Sequence, residues 1–308
     1  MNWSLFWDLT VSGVTLGSVY ALVALGYSMV YGILKLLNFA HGDVYMIGAF
    51  MGWFALHWLG GPVNPSAAAW LVVVLMFLFA MVACGGLGVV IERFAYRPLR
   101  NAPRIAPLIS ALGVSFFLQN SALLLFGASF RDYDTFHLIG GKTYNYKDIF
   151  LSVPQLLTII SAIALMIGLT LLVARTKIGK AMRATSFDRE AASMMGIDVD
   201  RVIASTFFIG SALAGAAGVM FALVFGQIYH FMGFLAGLKG FTAAVIGGIG
   251  SIPGAFFGGL TIGLLESYAT GYLPQGSRFQ NLYVFAVLII VILIRPSGLF
   301  GKATIRKV

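Results

Sequence analysis

The sequence has little charge. Asp, Glu, Lys and Arg make up only 10% of its 308 residues, against ~25% in a typical soluble domain. At 59% hydrophobic, it has too few polar side chains to cover a water-facing surface. It has a single cysteine, Cys84, inside an apolar run, so no internal disulfide forms and the fold needs no oxidising compartment. There is no His-Glu-x-x-His run and no cysteine cluster to hold a metal. His41, His57, His137 and His230 are scattered, and nothing about them suggests a nucleophilic triad. Gly141-Lys142-Thr143 resembles the end of a phosphate-binding loop, but the glycine that loop needs earlier is Phe136. The chain therefore reads as no enzyme, with no cofactor of its own, and any driving energy comes from a partner or a gradient.

The net charge of +9 does not form one basic patch. The basic residues gather at 93–104, 175–201 and 295–307, each beside an apolar run. Clusters of that kind mark the cytoplasmic loops of membrane proteins and leave no soluble basic face for nucleic acid. Apolar runs recur at 10–34, 44–59, 67–91, 105–126, 154–174, 202–225, 254–271 and 281–295. Most approach the ~20 residues needed to cross a ~30 Å hydrocarbon core, where backbone groups must pair within each segment.

The expected fold is all-α, a polytopic transmembrane bundle in one domain, 1–308. A half-length helix near 239–249 in a glycine-cut stretch brings the count to about nine crossings. Placing the three basic segments in the cytoplasm puts the N-terminus and the 127–153 segment outside and the C-terminus inside. Met1 to Asp8 lacks a basic leader and a small-residue cleavage site, so the first run reads as a retained helix. Gly13 and Gly17, and Gly254, Gly258, Gly259 and Gly263, lie at helical spacing and predict close helix packing.

A few polar residues interrupt the apolar runs. Asn38, His41 and Asp43 sit together between the first two. A carboxylate at bilayer depth costs about 3 kcal/mol or more and needs a use or a partner. Either these three line a translocation path, or Asp43 caps a helix starting at Val44 and a backbone carbonyl satisfies His41. Glu266 either lines the path or faces water at its helix end. Lys239 is expected to snorkel, and Gln119 and Asn120 to hydrogen-bond between helices. NFAHGDVYMIGAF and GGIGSIPGAFFGG each place a glycine-rich break before a small-residue helix, a possible internal repeat.

The segment 175–201 is unlike the rest. It carries Arg175, Lys177, Lys180, Arg183, Arg189 and Arg201 between two apolar runs. It holds a short helix of its own, about Phe187 to Met195. Thr185 or Ser186 can cap its start, Asp188 and Glu190 suit the first turn, and Gly196 suits a left-handed stop. A capped helix held off the membrane is most simply a docking element for a soluble partner.

Glu190-Ala191-Ala192-Ser193-Met194-Met195-Gly196 matches E-A-A-x-x-x-G, and so resembles the cytoplasmic coupling loop of ABC importer permeases. The Ile-x-Leu-Pro tail of that motif is missing; Thr206-Phe207-Phe208-Ile209 stands in the corresponding region. The segments TLGSVYALVALGYSMVYGILKLLNFAHGDVYMIGAF, ERFAYRPLR, GLKGFTAAVIGGIGSIPGAFFGG and RPSGLFG resemble the permeases of high-affinity branched-chain amino-acid importers. The resemblance implies a subunit of the bacterial inner membrane, surrounded by lipid, that pairs with a second, related permease. It implies two cytoplasmic ATPase subunits holding ATP and Mg²⁺, and a periplasmic substrate-binding protein. It makes Arg183, Asp188, Arg189, Glu190, Ala191, Ala192 and Gly196 the ATPase-docking residues. The implied cargo is leucine, isoleucine or valine. Urea or short-chain amides are the alternative cargo, and a secondary transporter or channel the alternative class.

Overall fold

A computed structural model describes residues 3–59, 67–100, 102–103, 105–133, 138, 143–146 and 149–301. The turn signal Gly60-Gly61-Pro62, the Phe136 and Gly141-Lys142 positions and residues 302–308 lie outside these.

The described residues are overwhelmingly helical. α1 spans Trp3–Leu34, α2 His41–Trp58, and α3 Ala67–Ile91, which continues through a π turn and a 3₁₀ turn to Leu99. α4 is Ile105–Phe126, α5 Val153–Arg175, α6 Lys177–Phe187 and α7 Arg189–Met194. α8 is Val199–Phe225, α9 Met232–Gly247, α10 Ile252–Tyr272 and α11 Gly276–Ile294. Two small antiparallel pairs complete the description. One joins β1 (Arg131–Asp132) to β4 (Gln227–Ile228), the other β2 (Thr143–Tyr146) to β3 (Ile149–Ser152).

Every apolar run of the sequence is a helix, yet the expected count of about nine crossings is not confirmed. Among the described residues, 6 helices are long and apolar enough to cross a membrane: α1, α3, α4, α5, α8 and α11. α9 has only 16 residues. It runs Met232–Gly247, not 239–249, because Gly233 and Gly237 pack directly on Gly42 of α2. A Cβ on Gly42 would lie 2.7 Å from the Cα of Gly237. That tertiary contact holds a helix over glycines whose intrinsic preference opposes one. The break after α9 falls at Gly248–Ser251, where Gly248 and Gly250 have φ of 101° and 92°.

The core is α1, α2, α8, α9 and α10. α1 and α10 form the most extensive helix pair. Gly13 and Gly17 of α1 face Gly259 and Gly263 of α10, as the spacing predicts. A Cβ on Gly17 would come 2.8 Å from the Cα of Leu260, and one on Gly263 would collide with the Gly17 backbone. Without a hydrophobic force between helices in lipid, such backbone-to-backbone fit is what holds them. Val19 to Leu25 is consequently buried. α5 and α11 bury little of their apolar length inside the bundle, which suits lipid.

The basic segments collect at one end of the bundle. Arg100 pairs with Glu92 and with Asp200 of α8, and Arg97 with Asp200. This ties the 92–100 turn to the start of α8, at the end of the 175–201 segment. At the C-terminal side, Leu299 N–H donates to Ile246 O and Phe300 N–H to Gly247 O. The 248–251 break in turn faces Gly32 near the end of α1.

Candidate functional site

At the basic end, α6 and α7 form a bent pair. Thr176 caps α6 through Gly179 N–H. Thr185 and Ser186 lie within α6 and do not cap α7. The N-cap is Asp188, whose Oδ1 accepts from the N–H groups of Glu190 and Ala191 at 2.9 and 3.0 Å. Its extended backbone (φ −152°, ψ 118°) suits a cap, which a residue inside α6 cannot adopt. Gly196 does take the left-handed stop, with φ 80°. Gly196 N–H bonds Ser193 O and Ile197 N–H bonds Ala192 O, the two reverse hydrogen bonds of a Schellman ending. Phe187, Met194 and Met195 are 96%, 85% and 82% exposed, while Ala192 is buried inward.

Two arginines fasten this segment to the bundle. Arg183 donates to Val173 O at the end of α5. Arg189 Nη2 donates to Ile33 O and Leu34 O, at 3.1 and 2.7 Å, at the end of α1. The last carbonyls of a helix have no intrahelical donor and carry its negative dipole end, so a guanidinium there is well placed. Burial, and then the Arg100 guanidinium, lower the pKa of Arg189 from the usual arginine value.

Toward the other end, the bundle encloses a cavity of about 470 Å³, within the ~300–1,000 Å³ usual for small-molecule sites. Its wall is mostly apolar and comes from α1, α2, α8, α9, α10 and α11. Lys239 and Glu266 are its charged members, and Tyr20 and Tyr45 are among its uncharged polar ones. Lys239 Nζ lies 2.6 Å from Glu266 Oε1, and Tyr20 Oη donates to Glu266 Oε2 at 3.1 Å. Lys239 therefore does not snorkel, and Glu266 does not face water at a helix end. Both are only 5% exposed, and a charge held that deep needs a counter-charge.

Of the four path candidates, only Glu266 lines this cavity. Asn38, His41 and Asp43 are buried elsewhere between helices. α2 begins at His41, one turn earlier than expected, and its N-cap Ala40 makes no side-chain bond. Asp43 is thus not a cap. Its carboxylate accepts from Ser115 Oγ and from Gln119 Nε2, the latter at 3.0 Å, joining α2 to α4. The expected interhelical role of Gln119 holds, whereas Asn120 bonds only Phe116 O of its own helix. Asn38 Oδ1 accepts from Tyr96 Oη at 3.2 Å. His41 packs on Tyr27 with ring centroids 4.7 Å apart. The backbone of Val23 is its hydrogen-bonding neighbour, as expected of a buried histidine, although neither ring nitrogen reaches well-formed geometry among the described residues.

Sequence reasoning missed Lys239, Tyr20 and Tyr45 as members of one site. A signal existed for the first. A lone lysine and a lone glutamate in two separate apolar runs each need a partner, and the cheapest partner is the other.

A family model described as the permease component of the branched-chain amino acid transport system matches residues 9–293. The chain is 43% identical over 305 residues to the high-affinity branched-chain amino acid transport system permease protein LivH of Escherichia coli (strain K12), covering 96% of each. It is 40% identical to the corresponding protein BraD of Pseudomonas aeruginosa, covering 97% of this chain and 96% of that one. It is also 25% identical to the permease protein LivM of Escherichia coli (strain K12), covering 94% of this chain and 69% of that one. A bundle of apolar helices, a capped helix pair at its basic end and this similarity along nearly the whole chain agree: the chain belongs to the family of branched-chain amino acid transport system permease components.

Proposed function

We propose that this chain is the membrane-spanning subunit of an ATP-driven importer that carries leucine, isoleucine or valine into a bacterial cell by alternating access. It sits in the inner membrane with its N-terminus outside. It pairs with a second, related permease and receives substrate from a periplasmic binding protein. Two cytoplasmic ATPase subunits, which hold ATP and Mg²⁺, bind its basic end.

The observation that carries the reading is the grip of Arg189 on the last carbonyls of α1. α6 and α7 present an exposed apolar ridge of Phe187, Met194 and Met195, and Asp188, Glu190 and Gly196 shape the helix that bears it. A motor subunit seated on that ridge moves α7. Arg183 and Arg189 pass the movement to α5 and α1. α1 lines the cavity at its other end and is locked to α10 through glycines. Ala191 and Ala192 keep the docking helix slim enough to sit close to both bodies. The binding of nucleotide on one side thus biases which end of the cavity is open, as linkage between two sites requires.

The test is uptake of radiolabelled leucine by cells carrying Gly196→Pro. Proline fixes φ near −65° and removes the N–H that bonds Ser193. Uptake is expected to vanish with the protein still present in the membrane, and co-purification of the ATPase subunits in mild detergent to be lost. Unchanged uptake would end the docking proposal.

A further inference from the structure

We infer that Lys239 and Glu266 form a subsite for the head group of a zwitterionic α-amino acid, at the floor of the 470 Å³ cavity. The inference rests on the importer reading above and assigns residues of this chain to its cargo.

The floor is identified by chain direction. α1 runs toward the basic end, and Tyr20 is the last of its cavity-lining residues, after Leu9, Ser12 and Leu16. α9 runs the same way, and Lys239 is the last of its own. α10 runs back, and Glu266 is the first of its own. On each of these helices the lining residue nearest the basic end is thus Tyr20, Lys239 or Glu266, and there the three side chains meet. Above them the wall is mostly apolar, with Leu16, Phe221, Met232 and Leu235, and its other polar members, such as Ser12 and Thr270, carry no charge. A cavity uncharged and mostly apolar along its sides and ionic at its floor fits a molecule with an aliphatic tail and a charged head.

Three features make the floor a site and not only a brace. The pair lines open volume and is not sealed in packing. An ammonium has three N–H donors; among the described residues the only acceptor Lys239 meets is Glu266, which leaves donors for a second carboxylate. Tyr45 lines the same cavity, is fully buried, and its hydroxyl has no hydrogen-bond partner among the described residues, although buried polar groups are almost always paired. An α-amino acid supplies what is missing. Its carboxylate takes Lys239 and its ammonium takes Glu266, exchanging one ion pair for two, with the Tyr45 hydroxyl free to bond the same head group. Without substrate the two residues neutralise each other and close the floor. A ligand lacking either charge leaves one of them buried and uncompensated, which selects against it.

The test uses the single native cysteine to advantage, because Cys84 is fully buried. Ser12→Cys places an exposed thiol in the cavity wall. In membranes carrying the whole importer, its maleimide labelling is followed with leucine, with 4-methylpentanoate, which lacks the ammonium, and with 3-methylbutylamine, which lacks the carboxylate. Leucine is expected to slow labelling at least fivefold, the other two less than twofold. Equal protection by all three, or none by leucine, overturns the subsite. In a second arm, Lys239→Gln combined with Glu266→Gln removes both charges together, so a merely structural pair is replaced by neutral amides. Leucine uptake is expected to fall at least tenfold at unchanged membrane abundance and thermal stability; uptake within twofold of the parent overturns the subsite. Labelling reads occupancy without transport. It stays informative if the importer reading fails, and that failure appears separately as leucine uptake indifferent to the ATPase subunits.

Discussion

Arg189 Nη2 stands 2.7 Å from the carbonyl oxygen of Leu34, across 155 residues of chain. One guanidinium thereby joins the segment that leaves the membrane to one of the two most buried of its long helices. Hydrogen bonds to charged groups contribute ~1.5–3 kcal/mol, enough to make the two elements move together.

Arg189→Ala should uncouple the two ends of the molecule. Leucine uptake is expected to fall at least tenfold while ATP hydrolysis by the assembled importer continues and ceases to respond to substrate-loaded binding protein. Arg189→Lys should be intermediate, since an ammonium can donate to both Ile33 O and Leu34 O but sits on a shorter side chain than Nη2. Parallel uptake and ATPase measurements on reconstituted assemblies decide it; full coupling in Arg189→Ala would show the contact to be idle.

The cap on α7 predicts a local change. Asp188→Ala removes the acceptor of two N–H groups and should cost ~1 kcal/mol of helix stability. That is roughly a fivefold loss of hydrogen-exchange protection in the amides of 190–195. Asp188→Asn or Asp188→Ser should restore most of it. Protection that is the same in all three variants would mean that α7 is held by packing alone.

Gln119 and Asn120 are neighbours in sequence with opposite expected effects. Gln119→Ala leaves the buried Asp43 carboxylate short of a donor and should cost ~1–3 kcal/mol. Asn120 is exposed and bonds only its own helix, so Asn120→Ala should stay within ~0.5 kcal/mol. Thermal unfolding of the detergent-purified protein separates them, and equal shifts would contradict the buried role of Asp43.

The glycines also divide. Gly263→Val drives a side chain into the Gly17 backbone and is expected to abolish folded protein in detergent size-exclusion profiles. A Cβ at Gly86 or Gly168 meets nothing within 4 Å, so Gly86→Ala and Gly168→Ala should leave the profile unchanged. A normal profile for Gly263→Val would mean that the α1–α10 contact is looser than its geometry indicates.

Much of this was legible in the residues alone. The apolar runs gave every long helix, because the cost of an unpaired backbone group in lipid leaves a chain that apolar few alternatives. The left-handed stop at Gly196, the turn at Gly248–Ser251 and the pairing face of Gly13 and Gly17 are local or periodic features, and local chemistry decides them. What the sequence could not supply was who meets whom across the bundle. Asp43 reads equally well as a cap, and Lys239 as a snorkelling cation, until α4 and α10 are placed beside them. The start of α9 and the shared cavity of Tyr20, Tyr45, Lys239 and Glu266 depend likewise on how closely glycine faces let backbones approach. Side-chain partners remote in sequence are fixed by that packing, and only the tertiary structure carries it.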